Sequence, residues 1–578
     1  MGDPVFTPGR RFRPFAAAVC AIATTAAFLT GPGTSDAGAV TVSSSSVKAS
    51  DGRVFSVTNH RRTTAAGHRR HEYLLAWAGD EASQAGPADP DFVAVIDVTA
   101  GTPSYGKVVN TATFSPQSAN EPHHMQYLWH KGQRVYAGGL VSDTVFVLDV
   151  SRLPELRLTG VALPSDTPCG SAPDAFAVLA DGTAYGSFLG GPNTAGPCTY
   201  TDGEVRYGNG FAGSPGEIAR ISPDGAVLAE APSATATAED PQVCHNVPAL
   251  PQPTCANPHG IGVRQDLGTL VSSDFVEVRN IILPANTADP YVTRDTVRTY
   301  DIRDPQRPKL KTVSHLPAGP RGDQPPYDEP RGVMEAAVTN EPAHRGAFAS
   351  TLNGGVYYTP DITAANPVWR LVFDDETAFK TIYPTATPTS TFDAGGWLAT
   401  SPDDRYLFHT VMFGGVNSPA ATAKSGMLYV LDIRRLVEGR HPGCSVDTLA
   451  EISAGGAEPD CPAVAGAMPI VDDTSGGPHW GTLDHFAPGR DGWYRETPRI
   501  SRVATSNYFV AATGFDGNHR VCLANVAPSG AVSPDSSFRD EVTHQPCVDF
   551  NRAVWPHGAT GAARPHGVLF AIADADLR

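Results

Sequence analysis

The chain has 578 residues, of which 41% are hydrophobic and 18% charged, and its formal net charge is −17 at pH 7. This acidity, with the basic residues thinly spread, excludes the clustered positive patch that nucleic acid or an anionic membrane surface requires. The composition changes little after about the first fifty residues, so one large repeat domain is compatible with the length.

Residues 1–38 read as an export signal, with Arg10, Arg11 and Arg13 as a basic start, an apolar run from Phe15 to Leu29, and small residues in SDAGA for cleavage. The expected mature protein is secreted or extracytoplasmic, with residues 39–50 as a disordered linker and 51–578 as the folded domain. No later segment reaches the ~18 unbroken apolar residues of a membrane span. With Cys20 in the signal, eight of the nine cysteines remain. They fall as neighbours in sequence: Cys169 with Cys198, Cys244 with Cys255, Cys444 with Cys461, and Cys522 with Cys547. An even set suits local disulfides, although sequence leaves the connectivity open. The absence of Cys-x-x-Cys argues against a thiolate metal site.

From residue 72 onward, short β-rich runs are punctuated by Gly, Pro, Asp and Asn, and long periodic helices are missing. One hairpin recurs: an alternating strand ending in an apolar-Asp-apolar step, a turn, then a second strand. Its seven copies begin at Phe92, Thr144, Glu217, Thr296, Gly355, Met427 and Arg520, the third and seventh lacking the Asp. Inner strand pairs precede the hairpins, as in PDAFAVLADGTAYGSF, PHGIGVRQDLGTLVSSDF and WLATSPDDRYLFHTV. The spacing predicts an all-β, seven-bladed β-propeller, with long insertions at 231–257, 277–294 and 435–475. Only EYLLAWAG precedes the first hairpin, so RPHGVLFAI at the C-terminus is expected to supply blade 1's innermost strand and close the ring.

The start of the innermost strand is marked by a Pro-X step in six blades. X is His566 in blade 1, His123 in blade 2, Asp174 in blade 3, His259 in blade 4, Arg331 in blade 5 and His479 in blade 7, while blade 6 offers Asp393 without the proline. Equivalent positions on innermost strands converge at one mouth of the central channel, so these imidazoles can meet one ion. Strand alternation turns His124 away if His123 faces the axis, and His124 is kept as a further candidate ligand. Neutral imidazoles suit copper, iron and zinc, and an all-His set without Cys disfavours structural zinc. Glu335 and Asp174 are expected to orient imidazoles or move protons, and Arg331 to hold an anionic substrate. His130, His344 and His519 read as ordinary loop residues, and His409 and His485 as packing residues or partners of a ligand.

At these residues the chain resembles the selenium-binding protein family, which includes the bacterial methanethiol oxidases. EPHHMQYLWHKGQRVYAGGLVSDTVFVLDV is similar to the family's paired-histidine segment and second blade. LADGTAYGSFLGG, LGTLVSSDF, SPDDRYLF, DIRDPQRPKL, the GGP before His479 and VDFNRAVWPHGATGAARPHG resemble further blocks, the last ending on His566. The resemblance implies a seven-bladed propeller with copper, oxidising a small thiol with dioxygen to aldehyde, hydrogen peroxide and hydrogen sulfide. The family's cysteine motif after the paired histidines is MQYLW here, so selenium binding is not implied. Asp174 and Ala177 stand where the family has histidines, and His259 and His479 are additional. A four-His non-haem iron oxygenase and a non-catalytic binding propeller are the alternative readings.

Overall fold

The computed structural model describes residues 39–578 apart from 64–69, 81–88, 118–119, 241–243, 245–249, 283–292, 320–327, 376–377, 380–386, 389–393, 413–415, 418–424, 440–443, 445–460, 472–476 and 511–515. The signal expected at 1–38 and Asp393 therefore lie outside the described residues. Seven antiparallel sheets form a β-propeller. From the inside outward, blade 2 is Pro122–Met125, Val135–Gly139, Thr144–Arg152 and Glu155–Ala162, and blade 4 is Pro258–Arg264, Thr269–Asp274, Thr296–Asp301 and Lys309–His315. The innermost strands of blades 3, 5, 6 and 7 are Ser171–Val178, Val333–Val338, Gly395–Thr400 and Trp480–Asp484.

The ring closes as the sequence predicts. Blade 1 takes Ala563–Ile572 as its innermost strand, paired with Glu72–Asp80 and followed by Phe92–Asp97 and Val108–Ser115. Arg502 of blade 7 reinforces this joint, reaching Glu72 at 2.6 Å and Asp484 at 2.7 Å. Residues 39–50 are not a linker. Val40–Lys48 is a strand that pairs with Val54–Arg62 and extends blade 1 outward to six strands. The serine run hides its β character, because the partner strand VFSVTNHRR supplies the ladder.

The recurring Asp has a physical role at the hairpin turn. The carboxylates of Asp97, Asp149, Asp301, Asp361 and Asp432 each accept the backbone N–H two residues on. At the first four this Asx turn reverses the chain between the two outer strands, while at Asp432 it leads into a helix. Blade 6 departs from the expected hairpin: after Ser425–Asp432 comes a short helix, Arg434–Glu438, and the outer strand follows only at Ala463–Val471, inside the stretch read as an insertion. Leu436 and Val437 are buried, so apolar packing of that turn competes with immediate strand reversal. The four disulfides join the cysteines in the order expected, Cys169–Cys198, Cys244–Cys255, Cys444–Cys461 and Cys522–Cys547. They fit an extracytoplasmic protein. No helix among the described residues is long and apolar enough to cross a membrane.

Candidate metal centre

Six of the seven innermost strands share a backbone device that the sequence does not announce. In blades 2, 3, 4, 5 and 6 the pairing with the second strand slips by one residue, at Pro122/Met125, Pro173/Phe176, Pro258/Ile261, Val333/Glu335 and Gly395/Leu398. Blade 1 slips at the matching place, with His566 as the extra residue between the pairs Trp77↔Gly567 and Ala78↔Pro565. A bulge sets two residues against one and re-aims the side chains it carries. Alternation therefore fails at the paired histidines, and His123 and His124 both face the cluster.

Hydroxyls from the neighbouring blade fasten the start of the innermost strand in blades 1, 4, 5, 6 and 7. Ser187 donates to the carbonyl of His259, Ser273 to that of Met334, Ser350 to that of Gly396, Thr410 to that of His479, and Ser506 to that of His566. Each lies in the second strand of one blade and holds the innermost strand of the next. The second strands carry a Ser or Thr at each of these places, in runs such as TLVSSD, AFAST and RVATS where other polar residues mask the signal.

The five imidazoles His123, His124, His259, His479 and His566 meet in one buried cluster. His123, His124, His479 and His566 each offer a nitrogen within 4.8 Å of the others, and His123, His124, His259 and Asp174 form a second such set. His124 Nε2 lies 3.0 Å from His479 Nε2. Donors bound to one ion at ~2.0–2.1 Å stand roughly 3 Å apart, so this spacing fits coordination. Asp174 approaches His124 Nδ1 at 2.7 Å, His123 Nε2 at 3.1 Å and His259 Nε2 at 3.4 Å. These approaches are close without being aligned as hydrogen bonds. Both Asp174 oxygens, both nitrogens of His566 and the Nδ1 atoms of His123, His124, His259 and His479 have no hydrogen-bond partner. Leaving a buried polar group unpaired costs about 1–3 kcal/mol, and a cation held by the Asp174 carboxylate and a His566 nitrogen would remove that cost at those atoms.

The electrostatics favour neutral rings. Burial holds His124 down to about 3 and His479 and His566 well below the usual histidine range, and neighbouring imidazoles add to the effect. Burial also lowers His123, against the pull of Asp174. His259 differs: burial depresses it, but Asp174 and Glu335 together raise it. Burial pushes Asp174 up, yet His259, His124 and His123 hold it well below the carboxylate range.

Glu335 stands on blade 5's bulge, 3.3 Å from His259 Nδ1. Its other oxygen accepts a 2.5 Å hydrogen bond from Tyr127, whose oxygen accepts the N–H of Ile261 at 3.1 Å. Tyr127 lines a cavity of about 170 Å³ among small apolar residues such as Ala177, Gly262, Ala336 and Ala399. Around the cluster, Trp480 stacks on His124 with ring centres 3.8 Å apart, Phe509 lies against His479 and Phe275 against His259. Tyr127 lies within MQYLW and Trp480 directly follows His479, and the sequence pattern assigns neither a role.

Arg331 does not join the cluster as expected. Its guanidinium turns to Asp328, at 3.1 Å, and to the Thr293 carbonyl, at 3.2 Å, so its charge is met beside its own strand. His409 bonds to Asp375 and to the Trp397 carbonyl, in keeping with a packing role.

Fold and site together define a β-propeller whose buried His/Asp cluster can hold a metal ion. No family model matches the chain, and no curated protein matches it. Among solved structures it is similar to a hypothetical selenium-binding protein from Sulfolobus tokodaii, with 14% identity over 88% of this chain and 94% of that one and a TM-score of 0.53. The periplasmic gluconolactonase of Pseudomonas aeruginosa matches with 11% identity over 87% of this chain and 99% of that one, at a TM-score of 0.45. At 14% identity, the likeness to the Sulfolobus protein is one of fold.

Proposed function

We propose that the protein is an extracytoplasmic copper-dependent oxidase of the methanethiol oxidase type, within the selenium-binding protein family, acting on a small thiol with dioxygen. The observation that carries this reading is the meeting of five buried imidazoles, each with at least one ring nitrogen that has no hydrogen-bond partner. All eight cysteines among the described residues are in disulfides, which leaves imidazole and carboxylate as the donor set. That set suits copper, with iron as the second choice on the strength of the four-His group.

His123, His124, His479 and His566 would hold the ion, with His259 and Asp174 completing or flanking the set. Bound copper would supply one-electron chemistry between a thiol and dioxygen. The chain's own groups set the conditions for it. Asp174, beside His124 Nδ1, favours the ring orientation that leaves Nε2 facing His479. Glu335 lies between His259 and the Tyr127 phenol, where it can accept a proton from either side. The small cavity beyond Tyr127, lined by apolar residues together with Gln126, Gln133 and Asn340, matches a substrate of a few heavy atoms. Arg331, paired with Asp328, is assigned no step.

Elemental analysis of protein isolated through its exported route, followed by anaerobic reconstitution, tests the metal. Copper near one equivalent at the central cluster, lost in His259→Ala or His566→Ala, supports the proposal, and iron supports the oxygenase reading. Protein that takes neither metal there leaves a binding propeller. Sulfide and peroxide release from methanethiol then tests the substrate, and absence of both ends the thiol-oxidase assignment while leaving the metal centre intact.

A further inference from the structure

A second group of metal-ligating side chains lies where the innermost strands of blades 2 and 7 end. His130 sits in the turn that follows Pro122–Met125, His485 directly follows Trp480–Asp484, and Glu496 ends the small hairpin Phe486–Pro488/Tyr494–Glu496 inserted in blade 7. One donor atom from each lies within 4.8 Å of the other two. His130 Nδ1 is 2.7 Å from Glu496 Oε2, and the rings of His130 and His485 are 5.1 Å apart. His485 is 1% exposed, packs on Phe486 with ring centres 4.1 Å apart, and has no hydrogen-bond partner for either ring nitrogen. A buried imidazole with both nitrogens unpaired calls for an explanation. Its neighbours are held by the backbone: the Lys131 N–H donates to Glu496 Oε1 at 2.9 Å, and the His130 N–H to Gln133 Oε1 at 3.1 Å.

We infer that His130, His485 and Glu496 bind a divalent ion of the zinc class at a site distinct from the central cluster. Two imidazoles and one carboxylate are a known zinc donor set, and the exposed sides of His130 and Glu496 leave room for water as a fourth ligand. The charge states agree with this. Burial, reinforced by His130, pushes His485 down to about 4, so its ring is neutral at pH 7. Glu496 sits at about 2, because its bonds to His130 and the Lys131 N–H outweigh the effect of burial.

The place of the site in the ring indicates its role. Lys131 Nζ bonds to the Leu577 carbonyl, the Gly132 N–H reaches Asp574 at 3.2 Å, and the Arg578 N–H donates to the Tyr494 carbonyl at 2.9 Å. An ion there ties the blade 2 turn to the blade 7 hairpin beside the residues that follow the closing strand. It stabilises the closed ring by binding the folded state.

Metal-free full-length protein titrated with Co²⁺ alone, read by equilibrium dialysis and visible absorption, tests the inference. Wild type is expected to bind one equivalent more than Glu496→Gln or His485→Asn, with the Co²⁺-dependent rise in unfolding temperature reduced in both. Glu496 is partly exposed, so its isosteric variant keeps the fold even if His485→Asn does not. In His479→Ala/His566→Ala, the site is expected to remain and to weaken more than 10-fold when Glu496→Gln is added. Equal stoichiometry and affinity in wild type and Glu496→Gln would overturn the inference without touching the central cluster.

Discussion

Two arcs of the ring carry similar backbones and different chemistry. Blades 7, 1, 2, 3 and 4 place His479, His566, the pair His123 and His124, Asp174 and His259 in one cluster. Blades 5 and 6 bear the same bulge, at Val333/Glu335 and Gly395/Leu398, yet they present Glu335 and Trp397. Trp397 packs beneath blade 7, where its backbone N–H donates to the His479 carbonyl at 3.0 Å, and Glu335 faces His259 from outside the imidazole set. The bulge, found in blades 1 to 6, is therefore independent of the donors, which are a choice made blade by blade. Five adjacent blades supply candidate ligands, and two supply packing and a proton acceptor.

The division can be broken by substitution, and the largest effect is expected in the donor arc. His124→Ala removes the nitrogen that faces His479 and should weaken copper binding by more than 100-fold in competition titrations, because losing an outer partner alone costs about 10–100-fold. Retention of wild-type affinity would move the site away from the paired histidines. Asp174→Asn keeps the shape but removes the charge beside three rings, and a loss of about 10–100-fold is expected in the same titration. An unchanged affinity would reduce Asp174 to a packing residue.

The arcs also show how much a linear reading can reach. The seven repeats, the C-terminal closing strand and the equivalence of the Pro-X positions in blades 1, 2, 3, 4 and 7 were legible because turn chemistry and hydrophobic alternation are local properties. The pairing of cysteines followed the same local logic. What escaped was set by register. The slip that turns both His123 and His124 inward exists only between paired strands, so alternation wrongly favoured one over the other. The sequence pattern makes Arg331 an equivalent position, but the register puts Met334 there, its carbonyl clamped by Ser273 as that of His259 is by Ser187, and Arg331 lies three residues earlier, paired with Asp328. Tyr127 and Ser187 touch the site through other blades, at sequence separations of 208 and 72 residues from their partners.

Glu335→Gln probes the second arc. It removes the charge facing His259 while keeping the shape, and the expected loss of copper affinity is about 10-fold, at the lower end for an outer partner. A loss as large as that of His124→Ala would make Glu335 a member of the donor set.

Tyr127→Phe should have the smallest effect on the metal and a separate one on the fold. It deletes the hydrogen bond to Glu335 and the acceptor for the Ile261 N–H, leaving two buried groups short of a partner. That costs about 1–3 kcal/mol of stability. The denaturant midpoint of the metal-free protein is expected to fall with its slope unchanged, since the folded surface is the same. Copper affinity is expected to stay within about threefold, because the phenol reaches the imidazoles only through Glu335 and outer partners account for about 10–100-fold when removed outright. If affinity instead falls as far as in Glu335→Gln while the midpoint holds, the phenol and the carboxylate act on His259 as one unit. The boundary between the arcs would then run through the cavity wall.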